Sequence, residues 1–388
     1  MSILKRAAAG AVAACLCLTL AACKDTSWVY KIDGVEITSG MYLTFLVNGK
    51  QEASQKVEDT SKDLWSQKIE NKDAQEWVKD YAKKMSLQYA AVEKEFDRLG
   101  LKLTDEDKEQ INSNVETYWA STSNYYEPNG AGKASFAKVM ENSYKSSLLF
   151  DKYYDKGGLQ EVSDTELMKY YKENYAHVKA VVLPLQNTTT GASLSDEQKK
   201  ELKTKAEKYL DRIKKGEDID KIIAEYKEES TTSASSSGTS STTSGGSSSA
   251  SGASSAAGSN ASSSASGASS ASTSSSSIDP NIMQVEKDNT SYPEKFTTAV
   301  FNAKAGGDPV FVEDTSYYAV LQRFDVEEDK EIFDQSRKSV LFTYKTEDFQ
   351  GLIDGWGKEL KVETNEASVS RYKPKKVADP KVSSTAAY

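Results

Sequence analysis

From Ser230 to Ser277 the chain uses only Ser, Thr, Ala, Gly and a single Asn. A run of 48 residues with no charge and no large apolar side chain has nothing to offset the entropy of ordering, and it reads as a disordered, flexible insertion or linker. Every core must therefore come from the sequence on either side of it. On Gly/Ser coil scaling its ends wander roughly 35 to 40 Å apart, enough to leave and re-enter one domain without straining it. Such a segment more often separates domains, so the patterns flanking it decide between the two readings.

Composition narrows the function classes. The 388 residues are 38% hydrophobic and 28% charged, which suits two or three domains rather than one large core. Lys plus Arg is 49 against 58 Asp plus Glu, for a formal net charge of −9. Such a balance repels a polyanion, so nucleic acid is not an expected partner. One histidine, His177, and three cysteines exclude His-rich zinc sites and cysteine clusters. Gly157-Gly158 and Gly306-Gly307 lack the Lys-Ser/Thr of a phosphate loop and read as turns. The carboxylate runs sit at element ends, where capping explains them. No cofactor and no metal is expected.

The first 23 residues account for all three cysteines. Lys5 and Arg6 precede an apolar stretch, Ala7 to Leu20, that is too short to span a bilayer comfortably. Leu20-Ala21-Ala22-Cys23 follows and resembles a bacterial lipobox. That resemblance implies a signal peptide over 1–22, lipid on Cys23, and a lipoprotein held at the extracytoplasmic face of the cell membrane. Cys15 and Cys17 would leave with the signal, and loss of two cations takes the net charge to −11.

The rest alternates helix and strand patterns. Val29 to Ile37 flanks Asp33-Gly34, a type I′ hairpin signal. Thr38 or Ser39 caps a helix through about Val47, and Asp73 with Glu76 opens one carrying Trp77, Tyr81, Met85, Tyr89, Val92, Phe96 and Leu99. Thr104 with Asp107, residues 136–150, and Ser163 with Glu166 mark three more. Then the period changes: a valine-rich strand at 178–185, helices at 196–214 and 219–226, and, past the Ser-rich run, a strand at 282–285, a helix at 293–302 and strands at 310–312 and 317–324. These pieces make one small α/β unit, with the Ser-rich run inserted inside it.

In order and spacing the chain resembles the extracytoplasmic PrsA/SurA-type foldases, in which a helical chaperone domain carries a parvulin-type peptidyl-prolyl isomerase domain. The resembling residues are the hairpin Val29 to Thr38, Leu99 to Glu106, Val162 to Glu166 leading into Tyr170-Tyr171, Ile213 to Asp218, the Phe296 to Phe301 helix ending in Gly306-Gly307, and the closing strand. The resemblance implies an α+β fold: a SurA-like helical domain from 23–176 with 327–373 returning to it as helix and strand, a parvulin-like domain over 177–326 interrupted at 230–277, and a flexible basic tail, 374–388. In parvulins, histidines on the first and last strands stand beside a Cys or Asp. Here Val182 and Tyr318 fall at the histidine positions, His177 lies about five residues early, and Phe296 matches a pocket aromatic, although core packing is the commoner use of such a residue. Catalytic residues are therefore unassigned.

Three functions follow. The first is a membrane-anchored chaperone for unfolded, newly exported polypeptides, with a degenerate isomerase domain; a homodimer remains an open assembly state. The second is a working peptidyl-prolyl cis-trans isomerase. The third is a non-catalytic scaffold lipoprotein. The 21 tyrosines suit either a cradle for unfolded segments or half-buried helix faces.

Overall fold

Hydrogen-bonding side chains just ahead of the helices set most of the element boundaries. The computed structural model describes residues 27–187, 190–235, 279–328 and 330–380. The signal segment, Cys23 and residues 236–278 lie outside them. In chain order the elements are β1 (Trp28–Ile32), β2 (Val35–Thr38), α1 (Ser39–Lys56), β3 (Lys68–Ile69), β4 (Lys72–Asp73), α2 (Ala74–Arg98), α3 (Asp105–Tyr126) and α4 (Lys133–Tyr154). Next come α5 (Asp164–Asn174), β5 (Tyr175–Pro184), α6 (Asp196–Lys214), α7 (Ile219–Ser235), β6 (Met283–Glu286) and α8 (Glu294–Asn302). The last are β7 (Val310–Glu313), β8 (Tyr317–Phe324), α9 (Lys330–Lys358), β9 (Val362–Thr364) and α10 (Glu366–Arg371). The fold class is α+β. No helix among the described residues is long and apolar enough to cross a membrane.

Two caps are complete capping boxes. Thr104 and Asp107 exchange side-chain and backbone bonds at the start of α3, and Ser195 and Gln198 do so at α6. Each satisfies otherwise orphaned N–H groups, worth about 1 kcal/mol. At α2 the Asp73 carboxylate accepts from Gln75 N at 2.9 Å, and at α5 Ser163 Oγ accepts from Glu166 N at 3.1 Å. Asp33 and Gly34 both have positive φ, 43° and 88°, as a type I′ turn requires.

The chain forms two compact units. The first holds described residues 27–161 and 345–380; the second holds 162–344. The units thus divide at 161/162 and 344/345, whereas the sequence reading placed boundaries at 176/177 and 326/327. Helix α5 and the first half of α9 belong with the four-stranded sheet because their side chains bond and stack there: Tyr171 of α5 stacks on Tyr175 and bonds His177 of β5, and Ser336 of α9 accepts from Gln284 of β6.

In the first unit β1 is the middle of a sheet ordered β2-β1-β9, antiparallel throughout, with Tyr30 opposite both Ile37 and Thr364. Val29, Ile32, Met41, Phe45, Leu46, Val78 and Phe136 fill the core beneath it. On α2 the buried residues include Val78, Ala82, Ser86 and Ala90, a four-residue step of mostly small side chains that lets α1 approach closely. A Cβ added at Gly49 of α1 would stand 2.8 Å from Tyr81 Cδ1, so the approach depends on glycine there. Of the aromatic stripe, Trp77 and Phe96 are buried and Tyr81 and Tyr89 half-buried. Tyr118 is the one exposed tyrosine among the described residues. The other described tyrosines are buried or half-buried.

Residues 374–380 correct the reading of 374–388 as a flexible tail. Pro374 and Val377 are buried, and Lys50 Nζ donates to the Val377 carbonyl at 2.8 Å. Two apolar residues among the lysines anchor the backbone. Residues 381–388 lie outside the described residues.

In the second unit the sheet order is β6-β5-β8-β7, all antiparallel. Helices α6 and α7 cover one face over Val181, Leu183 and Val320, and α8 covers the other over Val178, Ala319 and Leu321. Helix α7 continues to Ser235, six residues into the 230–277 run read as disordered; alanine and serine extend a helix already begun at modest cost.

Candidate functional site

The α8 face of the sheet is where the sequence places a peptide groove. Strands β5 and β8 pair with Val182 opposite Ala319 and Leu183 opposite Tyr318, without a bulge. Cross-strand partners project to the same face. Val182 thus shares the face of Ala319 and, through the α8 cluster, of Phe296. Tyr318 lies on the other face, buried with Val181 and Leu183 and its ring 5.9 Å from that of Phe311.

The three candidate positions therefore do not converge: Val182 and Phe296 come to one face, and Tyr318 does not. A shift of one residue in register exchanges the faces of a strand. Tyr317, the preceding residue, packs in the α8 cluster instead. Residues 317–321 are all apolar or aromatic, so no alternation in the sequence marks which side is which. Ala319, the residue facing Val182, was the position that sequence reading missed.

Val182 is 40% exposed near the end of β5, an inner strand of the sheet. Phe296 is 3% exposed and stacks on Tyr292 at 5.6 Å. The Tyr317 hydroxyl is buried beneath, and burial, with Asp314 nearby, pushes its pKa up. Val182, Ala319 and Phe296 have no titratable group, and of the three only Val182 is exposed, so they offer apolar contact but no acid–base pair.

His177 is far from that surface. Five residues of strand separate it from Val182, about 16 Å, and an odd separation puts it on the opposite face. It is 1% exposed, with Nε2 at 2.7 Å from the Tyr171 hydroxyl. That hydroxyl also accepts from Gln284 Nε2, which reaches Ser336 Oγ at 3.0 Å. The network joins α5, β5, β6 and α9, which is a structural use of the imidazole.

A second polar cluster closes the base of the Ser-rich run. Lys179 on β5 is largely buried and pairs with Asp220 of α7 and with Asp279, the first described residue after that run. Asn281 donates to Asp220 at 3.0 Å, and the Lys179 ammonium lies 5.3 Å above the Phe324 ring. Burial opposes the charge on Lys179, but the two carboxylates outweigh it and raise its pKa. Lys179 in turn, with the Asn281 N–H, holds Asp279 below the usual carboxylate range. A lone lysine inside a valine-rich strand was the sequence signal for this clamp.

The first unit has a polar trough of about 560 Å³ lined by Asp33, Lys94, Glu95, Arg98 and Trp356 among others. Burial pushes Glu95 up, but bonds from Arg98 and the Tyr153 hydroxyl hold it below its ordinary value. Arg98 and Tyr153 between them engage both oxygens of Glu95. Among the described residues no three His, Cys, Asp or Glu side chains are placed to hold a metal ion.

No family model matches the sequence, and no curated protein matches it. Among solved structures it is similar to the foldase PrsA of Lactococcus lactis, at 14% identity over 88% of this chain and 96% of that one, with a TM-score of 0.35. It is similar to the foldase PrsA of Streptococcus pneumoniae at 14% identity, covering 78% and 89% of the two chains, with a TM-score of 0.37. A SurA-like chaperone of Campylobacter jejuni matches at 11% identity over 88% of this chain and all of that one, with a TM-score of 0.22.

Proposed function

We propose that this chain is an extracytoplasmic chaperone or foldase for exported polypeptides, held at the membrane by lipid on Cys23, whose sheet-containing unit is a poor isomerase. The observation that carries the reading is the pairing of Val182 with Ala319. The strand position at which the sequence resemblance implies a histidine is aliphatic, and so is the residue facing it, while the chain's sole imidazole is bonded to Tyr171 on the other side of the sheet. The exposed aliphatic side chain of Val182 offers an extended segment apolar contact without a proton donor or acceptor. The division of the helical unit into two stretches flanking the sheet unit in sequence supports the same reading.

The anchoring part rests on Leu20-Ala21-Ala22-Cys23. The test of the whole is light scattering from an unfolded client diluted out of denaturant. Addition of the mature chain in stoichiometric amounts delays aggregation; an unchanged time course removes the chaperone reading and leaves the scaffold one.

A further inference from the structure

Residues 371–376 read Arg-Tyr-Lys-Pro-Lys-Lys, four cations and no acid in a chain of net charge −9. Arg371, Lys373, Lys375 and Lys376 are exposed, and none forms an ion pair among the described residues. Yet the backbone that carries them is pinned. The Tyr372 ring lies 6.4 Å from that of Tyr42, Pro374 is buried, and Val377 joins the core of the first unit. Lys50 takes the nearest acid that follows, Asp379, at 2.6 Å. Asn129 bonds Ala378 through both its N–H, at 2.8 Å, and its carbonyl, at 3.3 Å. A solvated end would leave these cations mobile. Here they stand on ordered backbone with no carboxylate paired to any of them among the described residues, and the Arg371 guanidinium lies 6.0 Å from the Tyr372 ring.

Their place in the unit suggests what belongs opposite. Asn365, which caps α10 just before the basic run, bonds β1 at its first residues: its N–H donates to Val29 O at 2.9 Å and its side chain to Trp28 O at 3.2 Å. From there the run follows α1 from Tyr42 toward Lys50, about 12 Å of helix. Cys23 is five residues ahead of Trp28, a contour of at most about 18 Å. The segment that leads into the basic run is therefore bonded to the same strand end from which the chain runs back to Cys23.

We propose that residues 371–376 form a docking surface for an anionic lipid bilayer, which turns a single lipid anchor into a two-signal attachment and orients the first unit on the membrane. One acyl-bearing residue binds a bilayer reversibly; a basic patch beside it supplies the second signal. Because the backbone is already ordered, docking incurs little further loss of conformational freedom. The placement near the bilayer rests on lipidation of Cys23, but the charge recognition does not, and the test separates them.

The full mature chain, prepared with Cys23→Ser so that no lipid is attached, is mixed at low ionic strength with vesicles of phosphatidylcholine alone or enriched in phosphatidylglycerol. It partitions at least ~10-fold more onto the anionic vesicles, and added salt removes the preference. Replacing Arg371, Lys373, Lys375 and Lys376 together by Gln abolishes the preference without lowering the melting temperature, because the side chains are exposed. Replacing the three lysines by Arg preserves it. Equal partition onto both vesicle types, undiminished binding by the Gln variant, or binding to soluble polyphosphate but not to vesicles overturns the proposal. Failure of lipidation in cells would leave this outcome unchanged and would count only against the anchor.

Discussion

Val182 is the direct cross-strand partner of Ala319. The two share one face of the sheet, whereas Tyr318, one residue before Ala319, is packed beneath α6 and α7. This parity leaves Val182 exposed on one face and Tyr318 in the core on the other.

The first prediction uses that separation. Tyr318→Ala empties a buried ring position and destabilises the second unit by about 3 to 5 kcal/mol, whereas Val182→Ser at a partly exposed position costs under about 1.5 kcal/mol. Urea unfolding of the two variants checks the order. Equal destabilisation would mean that the faces are assigned wrongly.

Lys179 gives the second. Lys179→Met leaves Asp220 and Asp279 facing each other without their cation, at a cost of about 2 to 4 kcal/mol near neutral pH. The folded pKa of Asp279 is depressed. Its contribution is therefore fully present above the ordinary carboxylate value of about 3.9 and is lost as pH falls through the lower folded value. The stability gap between wild type and variant should narrow on acidification below about pH 4. A gap that is constant with pH would remove the electrostatic account of the clamp.

Removal of residues 240–270 is the third. The clamp ties the start of α7 to Asp279 whatever the length of the run between them, and closure entropy varies only with the logarithm of loop length. Stability is expected to rise by no more than about 1.5 kcal/mol, or to stay the same. Loss of cooperative unfolding in calorimetry would show that the run has a structural part in the unit.

The fourth concerns Cys23. Cys23→Ala is expected to abolish labelling by a fatty-acid analogue and to leave the protein unprocessed or released from the membrane fraction. Labelling of the variant as strong as that of the wild type would contradict the lipid anchor.

How much of this was legible in the sequence depended on how local the determinant was. Thr104, Ser163 and Ser195 bond to backbone three residues away, so the starts of α3, α5 and α6 could be read directly. The strand 317–324 was bounded correctly by the Asp314-Thr315-Ser316 turn ahead of it, which the Asp314 carboxylate closes by accepting from Ser316 N at 3.0 Å. Its facing could not be read, because a strand apolar on both sides has no alternation to expose its parity. Strand β5 begins at Tyr175, three residues earlier than expected, because residues 175–178 pair with β6 from beyond the Ser-rich run. The ordered stretch 374–380 was missed for a similar reason: two buried residues, Pro374 and Val377, outweigh the lysines around them, and only the tertiary surface shows it.

The central claim is a chaperone surface without acid–base catalysis, and one refolding experiment tests it most directly. A client whose slow phase is limited by prolyl isomerisation is refolded with and without the full mature chain, and yield and rate are followed together. The account predicts a higher yield of native client with the rate of the slow phase unchanged, since neither Val182 nor Ala319 can exchange a proton with the substrate. Acceleration of that phase by ~10-fold or more, lost in Phe296→Ala, would contradict it and make the α8 face an isomerase site.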